Sequence, residues 1–273
     1  MEVSQLPPGR YFISHSYRDS AERDRLLGSL PAHVRPLVFP PITVAPDEFV
    51  STPLLEAVRA CDGLIALGGA DSDESFWVTF EREFAKRTGI TVYTWDPAGM
   101  LLDHDQPSTG STMILLSDPV NWSDVELVGV QMQRRSFEVV PLSKNPEGRW
   151  VLHEGKDLRV APGTRVVDPA FVVFAGGRTR PGFFRDVVAR GRSGHIDPHR
   201  VVIACLNTGS GVVDADFLGS LMRGWGRGPI VDDLESHIVY LREGVDGEVL
   251  ANRVDDLIVR LSWNLYRTRG PVR

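Results

Sequence analysis

Polar side chains able to bind a ligand follow the first apolar segment of the chain. Residues 11–13 are apolar, and four hydroxyl or imidazole groups come next, on Ser14, His15, Ser16 and Tyr17. A helix is predicted to begin after them, with Asp19 interpreted as its cap rather than as a ligand-binding group. An apolar strand, a polar tip and a capped helix are typical of a ligand site at the carboxyl end of a strand in an open α/β sheet.

A second candidate group lies further along the chain, where Trp77 and Glu81 are four residues apart in a predicted helix over 74–88. This spacing places both side chains on one helical face, one turn apart. The N-terminal end of that helix faces the same rim as the 14–17 tip. The indole would wall a pocket and stack on a flat heterocycle, and the carboxylate would point at the bound group. The alternative is a buried Trp beside a solvated Glu.

The elements that would position these groups alternate regularly over the first hundred residues. Apolar runs predict strands at about 10–15, 35–39, 62–68 and 90–95, with helices at about 19–30, 51–60 and 74–88. The run over 63–67 is continuously apolar, as in a buried parallel strand. The pattern predicts an α/β fold with a doubly wound parallel sheet.

A second α/β run follows the polar stretch 103–112, which is interpreted as a boundary or a flexible excursion. Residues 137–153 predict a hairpin around a turn at 145–148. Further strands are predicted at about 171–176, 200–206 and 237–241, and helices at about 180–190, 214–224 and 248–266. We therefore predict one domain over 1–135 and a second, Rossmann-like α/β domain over 136–273.

Composition limits the classes of partner. The net charge is −6, and the chain has no dense block of Lys and Arg, so nucleic acid is not an expected partner. No run reaches the roughly 18 apolar residues that a membrane span needs, so no membrane partner is expected either. The two cysteines, Cys61 and Cys205, are far apart in apolar surroundings, which favours a cytoplasmic location. The histidines show no metal-ligand spacing, and no metal site is predicted.

Several segments of residues 1–135 resemble the TIR (Toll/interleukin-1 receptor) domain family. FISHSYRD at 12–19 is similar to the first box of that family, and SFWVTFEREFA at 75–85 is similar to its tryptophan-x-x-x-glutamate element. ACDGLIALGG at 60–69 and ITVYTWD at 90–96 match its third and fourth strands, and 39–53 falls where its BB loop lies. The resemblance implies a flavodoxin-like sheet. The fifth strand and last helix of the family are not evident over 103–140.

Many bacterial and plant TIR domains cleave NAD+, some cyclise the product, and others only assemble with partner TIR domains. Glu81 stands where the enzymatic glutamate stands, so the resemblance implies NAD+ cleavage, with NAD+ as the substrate and no further cofactor. Glu81 would act on the ribose as the catalytic residue. The other residues expected to bind substrate are Ser14, His15, Ser16, Tyr17, Arg18, Asp47 and Trp77. Arg18 would meet a phosphate or remain solvated.

The resemblance also has implications for partners and for biological role. Enzymatic TIR sites are usually completed by a second protomer, so self-association through the BB loop, residues 42–50 here, is expected. The product would be ADP-ribose or a cyclic ADP-ribose, acting in bacterial antiphage defence, with a downstream effector sensing it. The alternatives from other classes are a non-catalytic TIR scaffold for assembly and a caspase-like peptidase that the TIR domain recruits.

The second half of the chain leaves three interpretations open. Cys205, in VVIACLNTGSG, resembles the nucleophile strand of caspase-like and CHAT peptidases, but residues 174–178 lack the histidine expected there. His195 or His199 would have to replace it, and the alternative is a small buried cysteine. The glycines of 209–211 could cradle a phosphate or form a tight turn. A domain that senses a trigger, or gates the first domain, is the working hypothesis.

Overall fold

The computed structural model describes residues 2–39, 51–96, 98–99, 101–103, 112–176, 179–207, 237–242 and 247–269. The chain divides into two compact units, one within Met1–Thr109 and the other within Gly110–Thr268. Both are of the α/β class, as predicted. No helix in the described part of the chain has both the length and the apolar character required to cross a bilayer.

The first unit is built on a five-stranded sheet in the order β2-β1-β3-β4-β5. Its strands are β1 (Gly9–Ser14), β2 (Val34–Val38), β3 (Gly63–Leu67), β4 (Thr91–Trp95) and β5 (Leu101–Asp103). The first four are parallel, and the short β5 runs antiparallel to β4 at the edge. The four parallel strands were predicted to within one residue at each end, whereas β5 was not predicted.

Helices cover both faces of this sheet. They are α1 (Ser20–Ser29), α2 (Ser51–Arg59), α3 (Ala70–Asp73) and α4 (Phe76–Arg87). Leu26 of α1 packs with Tyr11 and Ile13 on one face. Because strand side chains alternate, Phe12 and Ser14 point to the opposite face, where α4 packs against β1 and β3. This alternation directs Ser14 towards α4.

Local sequence explains where α4 begins and ends. The side chain of Ser75 accepts a hydrogen bond from the backbone N–H of Val78, which caps the first turn. Lys86 and Arg87 lie in the last turn, where cations complement the negative end of the helix dipole. The helix is therefore two residues shorter at its start than the predicted 74–88, and Glu81 lies in its second turn.

The second unit is built on a six-stranded sheet in the order β11-β10-β9-β6-β7-β8. Its strands are β6 (Met113–Ser117), β7 (Val139–Lys144), β8 (Trp150–Leu152), β9 (Ala170–Gly176), β10 (Val201–Asn207) and β11 (Ile238–Arg242). All neighbours are parallel except β7 and β8, which form the predicted hairpin. In the described part of this unit, three helices accompany the strands: α5 (Trp122–Gln133), α6 (Pro181–Arg192) and α7 (Gly247–Arg269).

The predicted boundary at residue 135 is wrong. Strand β6 pairs with β7 and β9, so it and the following α5 belong to the second unit. The segment MILLS is buried at every position, as expected for a central parallel strand. The predicted helix over 214–224 and the glycines of 209–211 lie outside the described residues.

Helices α5 and α6 lie on opposite faces of the second sheet. Phe183, Phe184 and Val187 of α6 pack with Ile114 and Leu116 of β6. On the other face, Gly129 brings α5 close to the sheet, since a Cβ there would lie 3.1 Å from Leu115 Cδ1 and 2.5 Å from Leu158 Cδ2. A buried ion pair between Arg135 and Asp255 joins the end of α5 to α7.

Candidate active site

The centre of the candidate site is a buried contact between Ser14 and Glu81. Ser14 is the last residue of β1, and its hydroxyl donates a hydrogen bond of 2.5 Å to Oε2 of Glu81. Ser14 is 0% exposed and Glu81 is 6% exposed. The two candidate groups that the sequence placed on one rim are therefore in direct contact.

Burial controls the charge of this carboxyl group. Removal from water raises the pKa of Glu81 to about 8, and the hydrogen bond from Ser14 opposes this rise. At neutral pH the group therefore carries a proton most of the time. A cation bound close to it would favour the carboxylate and lower its pKa again. The site is thus suited to stabilising positive charge that a ligand brings or develops.

A second set of hydrogen bonds holds the segment after β1 against α3, which follows β3. The backbone N–H of Ser16 donates to Oγ of Ser72 over 3.3 Å. The hydroxyl of Ser72 in turn donates to Oδ2 of Asp19. Asp19 makes no side-chain cap of α1, so the prediction of a capping role is wrong. Its carboxylate instead connects the two segments that form the rim.

Tyr17 and Arg18 lie on the exposed side of the same tip. Tyr17 is 54% exposed, and its hydroxyl oxygen accepts a hydrogen bond of 3.3 Å from Nε of Arg18. Nη1 of Arg18 lies 3.4 Å from Oδ1 of Asp71. Exposed ion pairs of this kind contribute little to stability, so the guanidinium can change partners readily.

His15 is half-buried and turned towards α1. Its Nδ1 lies 3.4 Å from the carbonyl oxygen of Ile13, and its Nε2 lies 3.4 Å from Nη1 of Arg23. Burial, with a further contribution from Arg23, lowers the pKa of His15 and favours the neutral ring. A neutral imidazole can accept or donate a hydrogen bond at the rim without adding charge.

Trp77 lies one turn before Glu81 on α4, as its spacing predicted. Its ring is half-buried and makes edge contacts with Phe76, at 5.1 Å between ring centroids, and with Phe80, at 6.2 Å. These neighbours limit the orientations open to the indole. Asp47 and the 42–50 segment lie outside the described residues.

Sequence reasoning missed Ser72 and the short helix α3 that carries it. The available signal was topological, because β3 lies beside β1 and their carboxyl ends meet at one edge of the sheet. Polar residues directly after β3 therefore had to lie close to those after β1. The GADSDES stretch over 69–75 supplies them.

The surroundings of Cys205 make its thiol unsuited to act as a nucleophile. The residue is 1% exposed, among the apolar side chains of β9, β10 and α6. Burial raises the pKa of its thiol to about 12, so the thiolate is scarce at neutral pH. His195 is exposed and bonds to Ser193 instead. Among the described residues, no three His, Cys, Asp or Glu side chains are grouped as a metal ion would require.

Comparison of the sequence with models of known protein families finds no match, and comparison with curated proteins finds none either. We therefore infer function from the geometry of the first unit and from its sequence resemblance to a known family.

Proposed function

We propose that the first unit is a TIR domain that cleaves the bond between nicotinamide and ribose in NAD+, with Glu81 as the catalytic residue. The observation that carries the proposal is the buried Glu81 carboxyl group in contact with the Ser14 hydroxyl at the carboxyl end of β1. The contact lies beside β1 and β3, where the strand order 2-1-3-4 reverses, as it would in the flavodoxin-like sheet of a TIR domain. Open α/β sheets bind ligands at this kind of edge.

The chemistry needs few protein groups. The bond between C1′ of the ribose and N1 of nicotinamide breaks, and its electron pair returns to the ring nitrogen. Nicotinamide then leaves as a neutral molecule, so no general acid is required. Positive charge develops at C1′, and the carboxylate of Glu81 stabilises it in a site from which water is largely excluded. One carboxylate suffices where a glycosidase usually needs two.

The ionised form of Glu81 is the active one in this mechanism. In the free site, burial holds its pKa at about 8. The cationic nicotinamide ring stabilises the carboxylate on binding, which links binding of the substrate to loss of the proton. Ser14 holds the carboxyl group in place through its hydrogen bond. Trp77 walls the pocket, and Ser16, His15, Tyr17 and Arg18 line the tip of β1.

The attacking group decides the product. Water forms a new C1′–O bond and releases a proton, which gives ADP-ribose. An adenine nitrogen or a ribose hydroxyl of the same molecule gives a cyclic ADP-ribose. Exclusion of water favours the cyclic product. In either case the product would act as a signal, or its formation would deplete NAD+, in a cytoplasmic antiphage response.

Analysis of the reaction products by mass tests this function. The protein is incubated with NAD+ over a range of protein concentrations, since a second protomer is expected to complete the site. Release of nicotinamide together with ADP-ribose or its cyclic form supports the proposal. A TIR scaffold without turnover leaves NAD+ unchanged at every protein concentration, including in the assembled state. This result would favour a non-catalytic assembly module over an enzyme.

A further inference from the structure

The order of the parallel strands reverses in the second unit as well, at β6 and β9. From β6 the chain passes through α5 to β7 on one side, and from β9 it passes through α6 to β10 on the other. The two helices leave from adjacent strand ends and cover opposite faces of the sheet. Diverging connections of this kind open a crevice at the carboxyl edge of the sheet, which is where such folds bind ligands.

Buried polar side chains connect the two segments that border this crevice. Oδ1 of Asp118 accepts from the backbone N–H of Val120 over 3.2 Å, and its Oδ2 accepts from Nε of Arg180 over 2.7 Å. The amide of Asn121 donates to Oγ1 of Thr179 over 2.7 Å. Asp118, Asn121 and Thr179 are all less than a tenth exposed. Apolar side chains would close this edge without the cost of burying polar groups.

A fourth buried polar group has no partner there. Ser117 is the last residue of β6 and is fully buried. Its hydroxyl makes no hydrogen bond to any residue that the structure describes. An unsatisfied buried hydroxyl is costly, and a ligand atom or a water molecule in the crevice would satisfy it. Because strand side chains alternate, Ser117 lies on the same face as Leu115, which α5 covers, so its hydroxyl indicates a ligand atom on that side of the crevice, independently of the helix ends.

Arg180 is the most accessible member of the network. Its side chain is 63% exposed although the Asp118 carboxylate that it contacts is buried. The carboxylate fixes the guanidinium through Nε, which leaves the two Nη groups accessible. A guanidinium held in this way presents a planar pair of donors that matches two oxygens of a phosphate. Arg180 is also the residue before α6, whose positive N-terminal end favours an anion.

Another cation, Lys144, lies close to Arg180 and borders an open groove that Arg180 itself does not line. Burial lowers the pKa of Lys144, and the positive charges of Arg190 and Arg180 lower it further, so Lys144 is within electrostatic range of both arginines. Lys144 pairs with Asp186 and lines a groove of about 390 Å³ along α6 with Trp150 and Arg190. This volume is within the range of small-molecule sites. The groove can hold a nucleoside next to the cations.

We propose that the carboxyl edge of β6 and β9 is a second ligand site, which binds a nucleotide by its phosphates. Arg180 binds the phosphate oxygens, Asp118 holds its guanidinium in position, and Lys144 supplies a second positive charge. All residues of this site belong to the second unit. It gives that unit a binding role that is independent of NAD+ cleavage.

Calorimetric titration with ADP tests this site, with inorganic pyrophosphate as a competitor. We expect wild-type protein to bind ADP, pyrophosphate to displace it, and Arg180→Gln to weaken binding about ten-fold or more, as loss of a charge-assisted hydrogen bond predicts. Lys144→Gln should weaken binding to a smaller extent. Arg185→Gln is the matched control, because it removes the same charge from an exposed position on the same helix and should leave binding unchanged.

The proposal would be overturned if wild-type protein did not bind ADP, if Arg180→Gln bound ADP as tightly as wild type, or if Arg185→Gln weakened binding as much as Arg180→Gln. Failure of pyrophosphate to displace ADP would also overturn it, since the phosphates would then not be the recognised part. ADP bound at the Glu81 site would be insensitive to Arg180→Gln. The outcome is therefore separate from that of the NAD+ cleavage experiment.

Discussion

Ser14 and Glu81 are 67 residues apart in sequence, yet the hydroxyl of one donates a 2.5 Å hydrogen bond to the carboxyl group of the other. The contact joins the carboxyl end of β1 to the second turn of α4. It is buried, so the strength and the charge state of this pair respond to any change at either residue. Both the stability of the first unit and its proposed chemistry depend on it.

Ser14→Ala should change the pH dependence of NAD+ cleavage. The hydrogen bond from Ser14 lowers the pKa of Glu81, so its removal raises that pKa above about 8. Because the carboxylate is the active form, the midpoint of the rise in kcat/KM with pH should move upward. Steady-state kinetics at a series of pH values measure this midpoint. Ser14→Thr, which keeps a hydroxyl, should restore the midpoint, and an unchanged midpoint in Ser14→Ala would contradict the positioning role.

The stability of the protein should depend on pH through Glu81. Between the unfolded pKa of 4.5 and the folded pKa of about 8, the folded state binds a proton that the unfolded state has released. The free energy of unfolding therefore falls as pH rises through this window, by at most about 1.4 kcal/mol per pH unit. Denaturant unfolding at several pH values measures the slope.

Glu81→Gln should flatten that slope, because the neutral amide has no proton to lose. Glu83→Gln is a matched control on the same helix, since Glu83 is more exposed and pairs with Lys86 at 3.5 Å. It should retain the wild-type slope. Equal slopes in wild type and Glu81→Gln would show that the buried carboxyl group does not control this part of the pH dependence.

Trp77→Ala should raise the KM for NAD+ about ten-fold, with a smaller effect on kcat. Stacking of a flat ring on an aromatic side chain is worth about 1–3 kcal/mol, and the substitution removes it. Trp77→Phe keeps an aromatic face beside Phe76 and Phe80 and should have a smaller effect. Steady-state kinetics separate KM from kcat. If Trp77→Ala retained the KM of the wild-type protein, the indole would not contact the substrate.

Cys205→Ala should leave NAD+ cleavage unchanged and lower the free energy of unfolding by about 1 kcal/mol. The thiol is buried among apolar side chains, so its removal leaves a small cavity. Activity assays and denaturant unfolding on the same preparation test both parts. Loss of activity with an intact fold would instead favour the peptidase interpretation, in which this cysteine is the nucleophile.

The elements around the candidate site could be predicted because their signals are local. Continuous apolar runs indicated β1 and β3, and the spacing of Trp77 and Glu81 placed both residues on one face of α4. The position of the N-terminal end of that helix, at the same edge of the sheet as the carboxyl end of β1, then predicted that Glu81 shares a rim with the 14–17 tip. These signals require no knowledge of distant contacts.

The features that were missed depend on contacts that a local pattern does not encode. Ser72 caps no long helix. Its hydrogen bond with the backbone of Ser16 can be recognised only when the pairing of β3 with β1 is known. The residues of β6 were assigned to the first domain because the correct assignment depends on the pairing partners of this strand, β7 and β9, which come later in the chain. Arg180 and Asp118 are 62 residues apart, and only the sheet order brings them together.

The most direct test of the central claim compares nicotinamide release from NAD+ by wild-type protein, Glu81→Gln and Glu83→Gln, each assayed at the highest protein concentration attainable. We expect wild type and Glu83→Gln to release nicotinamide at similar rates. Glu81→Gln should be slower by at least about a hundred-fold, as expected for loss of a group that stabilises transition-state charge. Equal rates of release by Glu81→Gln and wild type would show that Glu81 is not the catalytic residue.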